Sequence, residues 1–311
     1  MTQTLPNPSD RTAGPAAPPA TRRGRGRGRG DQGISGKKIA AYSLLLLFAV
    51  LYLYPFFIQI AASLKDDPQA AASPLGFPNP VDLTAWKRIL GLGDEASVPI
   101  TTWLGNSVLV TLVVTAARVF LDSLAGYALS RMHFRGRGFL FATVLAVMSV
   151  PGVALLIPKF LIVTQLGIFD TYSAMILPLL VDAAGVFIMK QFFDSIPVSI
   201  EEAARIDGAG PFRIFWSVIL PMSKPALITL TILSFQGSWN EFSHFLVVTQ
   251  SPEYRTLVTG LASLTSGELG SGTQFPLKMG AALLTTIPVA LLFFTFQRYF
   301  VRGAGEGGVK G

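Results

Sequence analysis

The sequence predicts an all-α polytopic membrane protein with six transmembrane helices and a helix-turn-helix in one of its loops. Three observations carry this. Half of the 311 residues are hydrophobic and mean hydropathy is +0.51, too apolar for a soluble fold in which polar residues alternate with apolar ones along each element. Six segments are long enough to cross a hydrocarbon layer about 30 Å thick, which takes roughly 20 residues of helix. Between the fourth and fifth, residues 201–221 carry five charges, a block that cannot lie in lipid unaided.

The six segments are 39–60, 103–128, 139–161, 172–193, 225–248 and 275–299. Pro151 and Pro158 are positioned to kink or break the third. With the amino terminus placed in the cytoplasm, 18 basic residues fall inside and six outside. The positive-inside preference thus puts both termini and the 201–221 block in the cytoplasm.

Residues 1–36 precede the spans and hold Arg-Gly repeats with Pro and Ala runs. They have no apolar periodicity that builds a core, so they read as a disordered basic tail, and residues 37–311 as the membrane domain. Without interleaved aromatics or a folded nucleic-acid module, the tail is no argument for RNA binding. Arg22-Arg23 suggests an export signal, but the apolar run after it is too long for one and reads as a retained anchor. Gly36-Lys37 lacks the first glycine and the Ser or Thr of a phosphate loop, so no ATP site is expected. The chain has no cysteine, and His133 and His244 stand in no metal-binding spacing, which removes thiolate and metal chemistry and leaves little for a hydrolase.

Several polar groups lie inside the spans. Arg118 and Asp122, four residues apart, share a helix face and can neutralise each other, either as a structural ion pair or as part of a pathway. Asp182 has no local partner and should face the interior. In the fifth span Gln236, Asn240 and His244 recur every four residues as a polar stripe, flanked by Glu241 and Ser243, with Ser238 pointing away. Such a stripe serves helix packing or a wet cavity for hydroxyl-rich solutes.

In the charged block, residues 199–202 have the form of a capping box, with the Ser199 hydroxyl available to the backbone of Glu202 and its carboxylate reaching back, so a helix is expected from about Ile200. Asp207-Gly-Ala-Gly210 ends it and Pro211 opens a second helix, on which Phe212, Phe215, Trp216 and Ile219 form an apolar stripe. Ala203 and Ala204 keep the first helix shallow, with Glu202 and Asp207 at its edges.

Glu202-Ala-Ala-Arg-Ile-Asp-Gly-Ala209, followed after nine residues by Ile219-Leu-Pro221, closely resembles the EAA loop of permease subunits of ATP-binding-cassette (ABC) importers. Ser63-Leu-Lys65, Asn106-Ser107, Tyr127-Ala-Leu-Ser-Arg131, Trp239-Asn-Glu-Phe242, Gln297-Arg-Tyr-Phe and Gly307-Gly-Val-Lys-Gly311 extend the likeness to the carbohydrate-uptake branch of the maltose-system type. The Arg118 and Asp122 pair departs from it. The resemblance implies the type I importer permease fold in a prokaryotic cell membrane, with a coupling loop at about 195–222. In that loop Glu202 would meet a basic group on an ATPase, Ala203 and Ala204 would sit against its groove, Asp207 would flank it and Gly208 would form the turn. It also implies a homologous second permease, two ATPase copies that bind ATP and Mg, and an external solute-binding protein docked in part by the loop 61–102, which holds a short helix near 84–92. No cofactor is implied in this chain. A sugar is the implied solute. A non-sugar importer or an ion-coupled transporter are the other readings, and uptake along an ion gradient without an ATPase would favour the latter.

Overall fold

The computed structural model describes residues 36–92, 98–265 and 274–306. The expected basic tail lies outside them, apart from its last residue, as does the carboxyl-terminal Gly307-Gly-Val-Lys-Gly311. The chain divides into two compact units, residues 1–52 and 53–311. Helix α1 (Gly36–Ser63) begins in the first and ends in the second. Within the first unit its side chains from Lys37 onward are exposed, as suits a Leu-rich helix for which lipid is as good a solvent as protein.

The second unit continues with two short helices, α2 (Asp67–Ala72), capped by Asp66 accepting from the Gln69 N–H at 2.8 Å, and α3 (Thr84–Leu90). Helix α4 (Ile100–Arg131) follows without a break for 32 residues. The expected third span is divided. Helix α5 (Arg137–Met148) stops before Pro151, a 3-10 turn spans Gly152–Leu155, and α6 (Leu156–Gln165) leaves at 105° to α5. Pro151 lacks the N–H that would continue α5, whereas Pro158 sits in the first turn of α6, where none is needed.

The fourth span is interrupted too. Helix α7 (Tyr172–Ile176) passes into a 3-10 turn, Leu177–Leu179, and the chain is non-helical until α8 (Ala183–Ser195). Then come α9 (Val198–Ile206), α10 (Pro211–Ile214), a π-helical turn over Phe215–Ile219, and α11 (Leu220–Met222). Helix α12 (Lys224–Trp239) turns away at 81°. The continuous helix expected over 225–248 is not formed: α12 ends at Trp239, and α13 (Ser243–Val248) starts after a three-residue break. A 3-10 turn (Pro252–Tyr254), α14 (Leu257–Thr265) and α15 (Phe275–Glu306) complete the described chain. Among the described residues four stretches are long and apolar enough to cross a membrane, or up to six if each bent pair counts as one.

Helix α4 is the strut on which this unit is built. Three clusters of buried apolar side chains follow one another along it, around Trp103, Val110 with Val114, and Tyr127. Trp239, Leu257 and Leu277 join the first, Met175, Leu179 and Phe245 the second, Phe193, Phe215 and Ile219 the third. Because lipid offers no hydrophobic penalty to separated helices, close packing has to hold them together. Gly126 permits this against α8: a Cβ there would stand 2.8 Å from Met189 Cβ and 2.9 Å from the Lys190 N. At its start α4 is pinned by hydrogen bonds. Asn106 Nδ2 donates to the carbonyls of Glu253 (2.7 Å) and Arg255 (2.8 Å), Tyr172 donates to Asn106 Oδ1 (2.7 Å), and the Leu257 N–H donates to the Ser107 hydroxyl (2.8 Å).

Candidate functional site

Helix α9, the turn and α10 form the expected helix-turn-helix, with differences of detail that have physical causes. Helix α9 starts at Val198, capped by Pro197 without any side-chain bond, so Ser199 is already inside the first turn and the capping box does not form. The helix ends in a Schellman turn: the Ala209 N–H donates to the Ala204 carbonyl at 2.9 Å and the Gly208 N–H to Arg205 at 3.0 Å. This closure needs Gly208 at φ +81°, a left-handed conformation that a side chain disfavours.

The apolar stripe expected on the second helix is also rearranged. Ile214, Phe215 and Ile219 are buried, whereas Phe212 is 70% and Trp216 41% exposed. A π turn closes i to i+5 bonds, so Ile214 and Ile219 come to one side where an α-helix would have placed Phe212, Phe215 and Ile219.

Glu202, Ala203, Asp207 and Gly208 face solvent, and Ala204 is half-buried against the Phe193 cluster. Ile206 and Phe212 stand out beside them, so the tip is an apolar surface edged by carboxylates. Glu201 points the other way. It is 1% exposed, with Oε1 2.7 Å from Arg131 Nε and Oε2 3.7 Å from Arg205 and 3.4 Å from the Tyr127 hydroxyl. The same Arg131 guanidinium donates to the carbonyls of Phe193 (2.6 Å) and Ile196 (2.5 Å). One residue at the end of α4 thereby holds the last turn of α8, the linker and α9. Sequence reading left Arg131 and Glu201 without a role; their signal is the i, i+4 spacing of Tyr127 with Arg131 and of Glu201 with Arg205.

Arg118 and Asp122 do not form the expected ion pair. Arg118 Nε donates to the Leu179 carbonyl at 2.6 Å, and Asp122 Oδ1 accepts from the Asp182 N–H at 3.0 Å. Both bonds fall on the interruption between α7 and α8, where backbone groups have lost their helical partners and lipid offers none. Asp182, read as lacking a local partner, caps α8 by accepting from the Gly185 N–H at 3.1 Å. Asp122 is fully buried, and its Oδ2 has no hydrogen-bond partner.

The polar stripe of the fifth span is split by the break at residues 240–242. Gln236 and Asn240 are exposed, and the Asn240 amide folds back onto the Gln236 carbonyl at 3.0 Å. Ser238 is buried, away from them, as expected. Glu241 accepts from the His244 N–H at 2.9 Å, capping α13. His244 is 2% exposed, and its Nε2 lies 3.1 Å from the Ala174 carbonyl. A carbonyl only accepts, so Nε2 carries a proton, and in a neutral ring Nδ1 is then the acceptor; that Nδ1 is buried and unpartnered. Glu241, Ser243 and His244 line one cavity of about 230 Å³. Lys159 and the apolar turn 152–156 close its other side. The cavity thus lies where two broken spans meet, and Lys159, absent from the sequence-based set, belongs to it. Among the described residues no group of side chains suits a metal ion.

Residues 122–305 match the family described as "Binding-protein-dependent transport system inner membrane component". The arabinooligosaccharides transport system permease protein AraQ of Bacillus subtilis (strain 168) is 32% identical over 274 residues, 88% of this chain and 96% of that one. The sn-glycerol-3-phosphate transport system permease protein UgpE of Yersinia pestis bv. Antiqua (strain Antiqua) is 31% identical over 274 residues, 86% and 96% respectively. Among solved structures, a bacterial ABC transporter involved in the import of the acidic polysaccharide alginate superposes with a TM-score of 0.71 at 26% identity, covering 84% of this chain and 95% of that one.

Proposed function

The chain belongs to the binding-protein-dependent transport system inner membrane components, and from that premise we propose that it forms, with a second homologous permease, the path of a sugar or oligosaccharide through the membrane. It is a multi-pass permease subunit of an ABC importer and not itself an enzyme. In the proposed assembly two ATPase copies bind ATP and Mg and hydrolyse it, and an external solute-binding protein delivers the solute. Both termini and the helix-turn-helix face the cytoplasm of a prokaryotic cell.

The observation that carries this reading is the tip of α9. Glu202 and Ala203 are exposed on a short helix that Gly208 terminates sharply and that Arg131 ties to two spans through Glu201. A rigid element of this kind, seated in an ATPase cleft, converts closure of the ATPase pair into displacement of α4 and α8. Glu202 would face a basic group there, Ala203 and Ala204 the cleft wall, and Asp207 its rim.

Co-purification from native membranes tests the assembly, with the ATPase, second permease and binding protein expected together. Glu202→Lys combined with Gly208→Pro should leave the chain inserted and abolish uptake; unchanged uptake defeats the reading. Because the chain has no cysteine, a single Glu202→Cys reports the side of the membrane. Labelling of intact cells by an impermeant maleimide would place the tip outside and end the proposal.

A further inference from the structure

We infer that the cavity between the two broken spans is a solute subsite for an uncharged, polyhydroxylated sugar unit, and that Lys159 and Glu241 set its selectivity against anionic sugars. The inference rests on the importer reading and deepens it.

Its polar lining offers four kinds of group at once. Lys159 brings a cation that forms no ion pair among the described residues, although Glu241 lines the same cavity. Glu241 has one oxygen engaged with the His244 N–H and the other free to accept. His244 adds its unpartnered Nδ1, held toward accepting because Nε2 is committed to the Ala174 carbonyl. Ser243 contributes a hydroxyl that donates or accepts.

A buried acceptor left bare is unfavourable unless a ligand satisfies it. Sugar hydroxyls do so in both directions, donating to Glu241 and His244 while accepting from Lys159. The local charges sum to zero. A phosphate or uronate drawn by Lys159 would meet the like charge of the Glu241 carboxylate in the same small space. Charge balance therefore favours a neutral unit, although relatives of this chain include a glycerol-3-phosphate permease and a transporter of acidic polysaccharide. At about 230 Å³ the space lies below the range for drug-sized ligands, so it admits a single unit of a longer chain.

The test uses the complete complex purified from native membranes and placed in nanodiscs without its binding protein, so that selectivity measured is that of the membrane domain. Radiolabelled arabinotriose and trimannuronate serve as the neutral and anionic probes. The wild-type complex should prefer arabinotriose. Glu241→Gln keeps the oxygen that caps α13 but leaves Lys159 unopposed, and should shift the preference toward trimannuronate by roughly tenfold. Lys159→Glu should weaken both probes, trimannuronate more; Lys159→Met replaces it where that variant fails to assemble. Co-purification of the ATPase reports both assembly and the importer reading, independently of probe preference. If the ATPase is present and every variant keeps the wild-type ratio, or the wild-type complex binds neither probe, the subsite is refuted while the importer stands.

Discussion

Replacing Glu201 by alanine would leave the Arg131 guanidinium, 9% exposed, without the carboxylate 2.7 Å away, and stranding one member of a buried pair costs about 3–5 kcal/mol. Glu202→Ala removes an exposed side chain and should change stability by less than about 0.5 kcal/mol. Thermal unfolding in detergent should therefore show a large drop in midpoint for the first variant and almost none for the second. On the proposed function the order reverses for ATPase binding in a pull-down of folded protein. Equal midpoints would mean that the Arg131 clamp is ornamental. Local periodicity is enough to set Ile200, Glu201 and Ala204 on one face of α9, and hence to turn Glu202 outward. It is silent on why a glutamate tolerates that inner face, because its partner comes from a helix 70 positions earlier in the chain, and pairing at that range has no local signature.

The broken elements explain the charges inside the membrane. Arg118 and Asp122 were legible as a pair from their spacing, but their partners were not, since the interruption at residues 180–182 exists only once Pro178 and its neighbours have left the helical path. Asp122→Asn retains an oxygen for the Asp182 N–H and should sustain folding and transport. Asp122→Leu, of similar size, orphans that N–H and should destabilise by about 1–3 kcal/mol; equal melting of the two variants would show that the bond is dispensable. A second fastening lies outside the spans. The Asp170 carboxylate accepts from the Ser251 hydroxyl and from the backbone N–H groups of Ser251 and Gln250, bonds that hold its carboxyl below the ordinary carboxylate range, the Ser251 hydroxyl foremost. A depressed folded-state pKa stabilises above the unfolded value of about 3.9 and is lost as pH falls through the lower folded one. Asp170→Asn should therefore lower the melting midpoint at pH 7, and the gap to wild type should close only below about pH 4. A gap that is the same at pH 7 and pH 3 would remove the carboxylate from the account.

Taken whole, the second unit is organised for transmission along α4. Arg131 grips α9 at one end, Arg118 and Asp122 grip the interruption before α8, and Asn106 and Ser107 grip the turn before α14 at the other. A pull on the α9 tip therefore reaches the broken spans through one continuous helix, provided α4 and α8 move together. Six apolar runs were enough to order the membrane segments, and Pro151 marked a kink in the third, but the size of the bend was not legible: a hydropathy window measures composition, and it averages a 105° turn into an unbroken apolar stretch. Nor did composition reveal where α4 and α8 meet most closely, since a glycine is unremarkable in sequence until another backbone is found against it. Gly126 is that point, with the Lys190 N only 2.9 Å from where a Cβ would be. Gly126→Leu must separate the two helices, at about 1–3 kcal/mol or more, enough to loosen the joint without unfolding a protein of ordinary stability. In proteoliposomes holding the whole complex, this variant should keep its ATPase and continue to hydrolyse ATP while uptake falls by about tenfold, because the motor then draws α9 and α4 without carrying α8 along. The tip itself, including Glu202 and Gly208, is untouched by that change, so lost uptake with retained hydrolysis isolates the α4–α8 joint. Uptake at the wild-type rate with the helices wedged apart would mean that displacement reaches the solute path by another route.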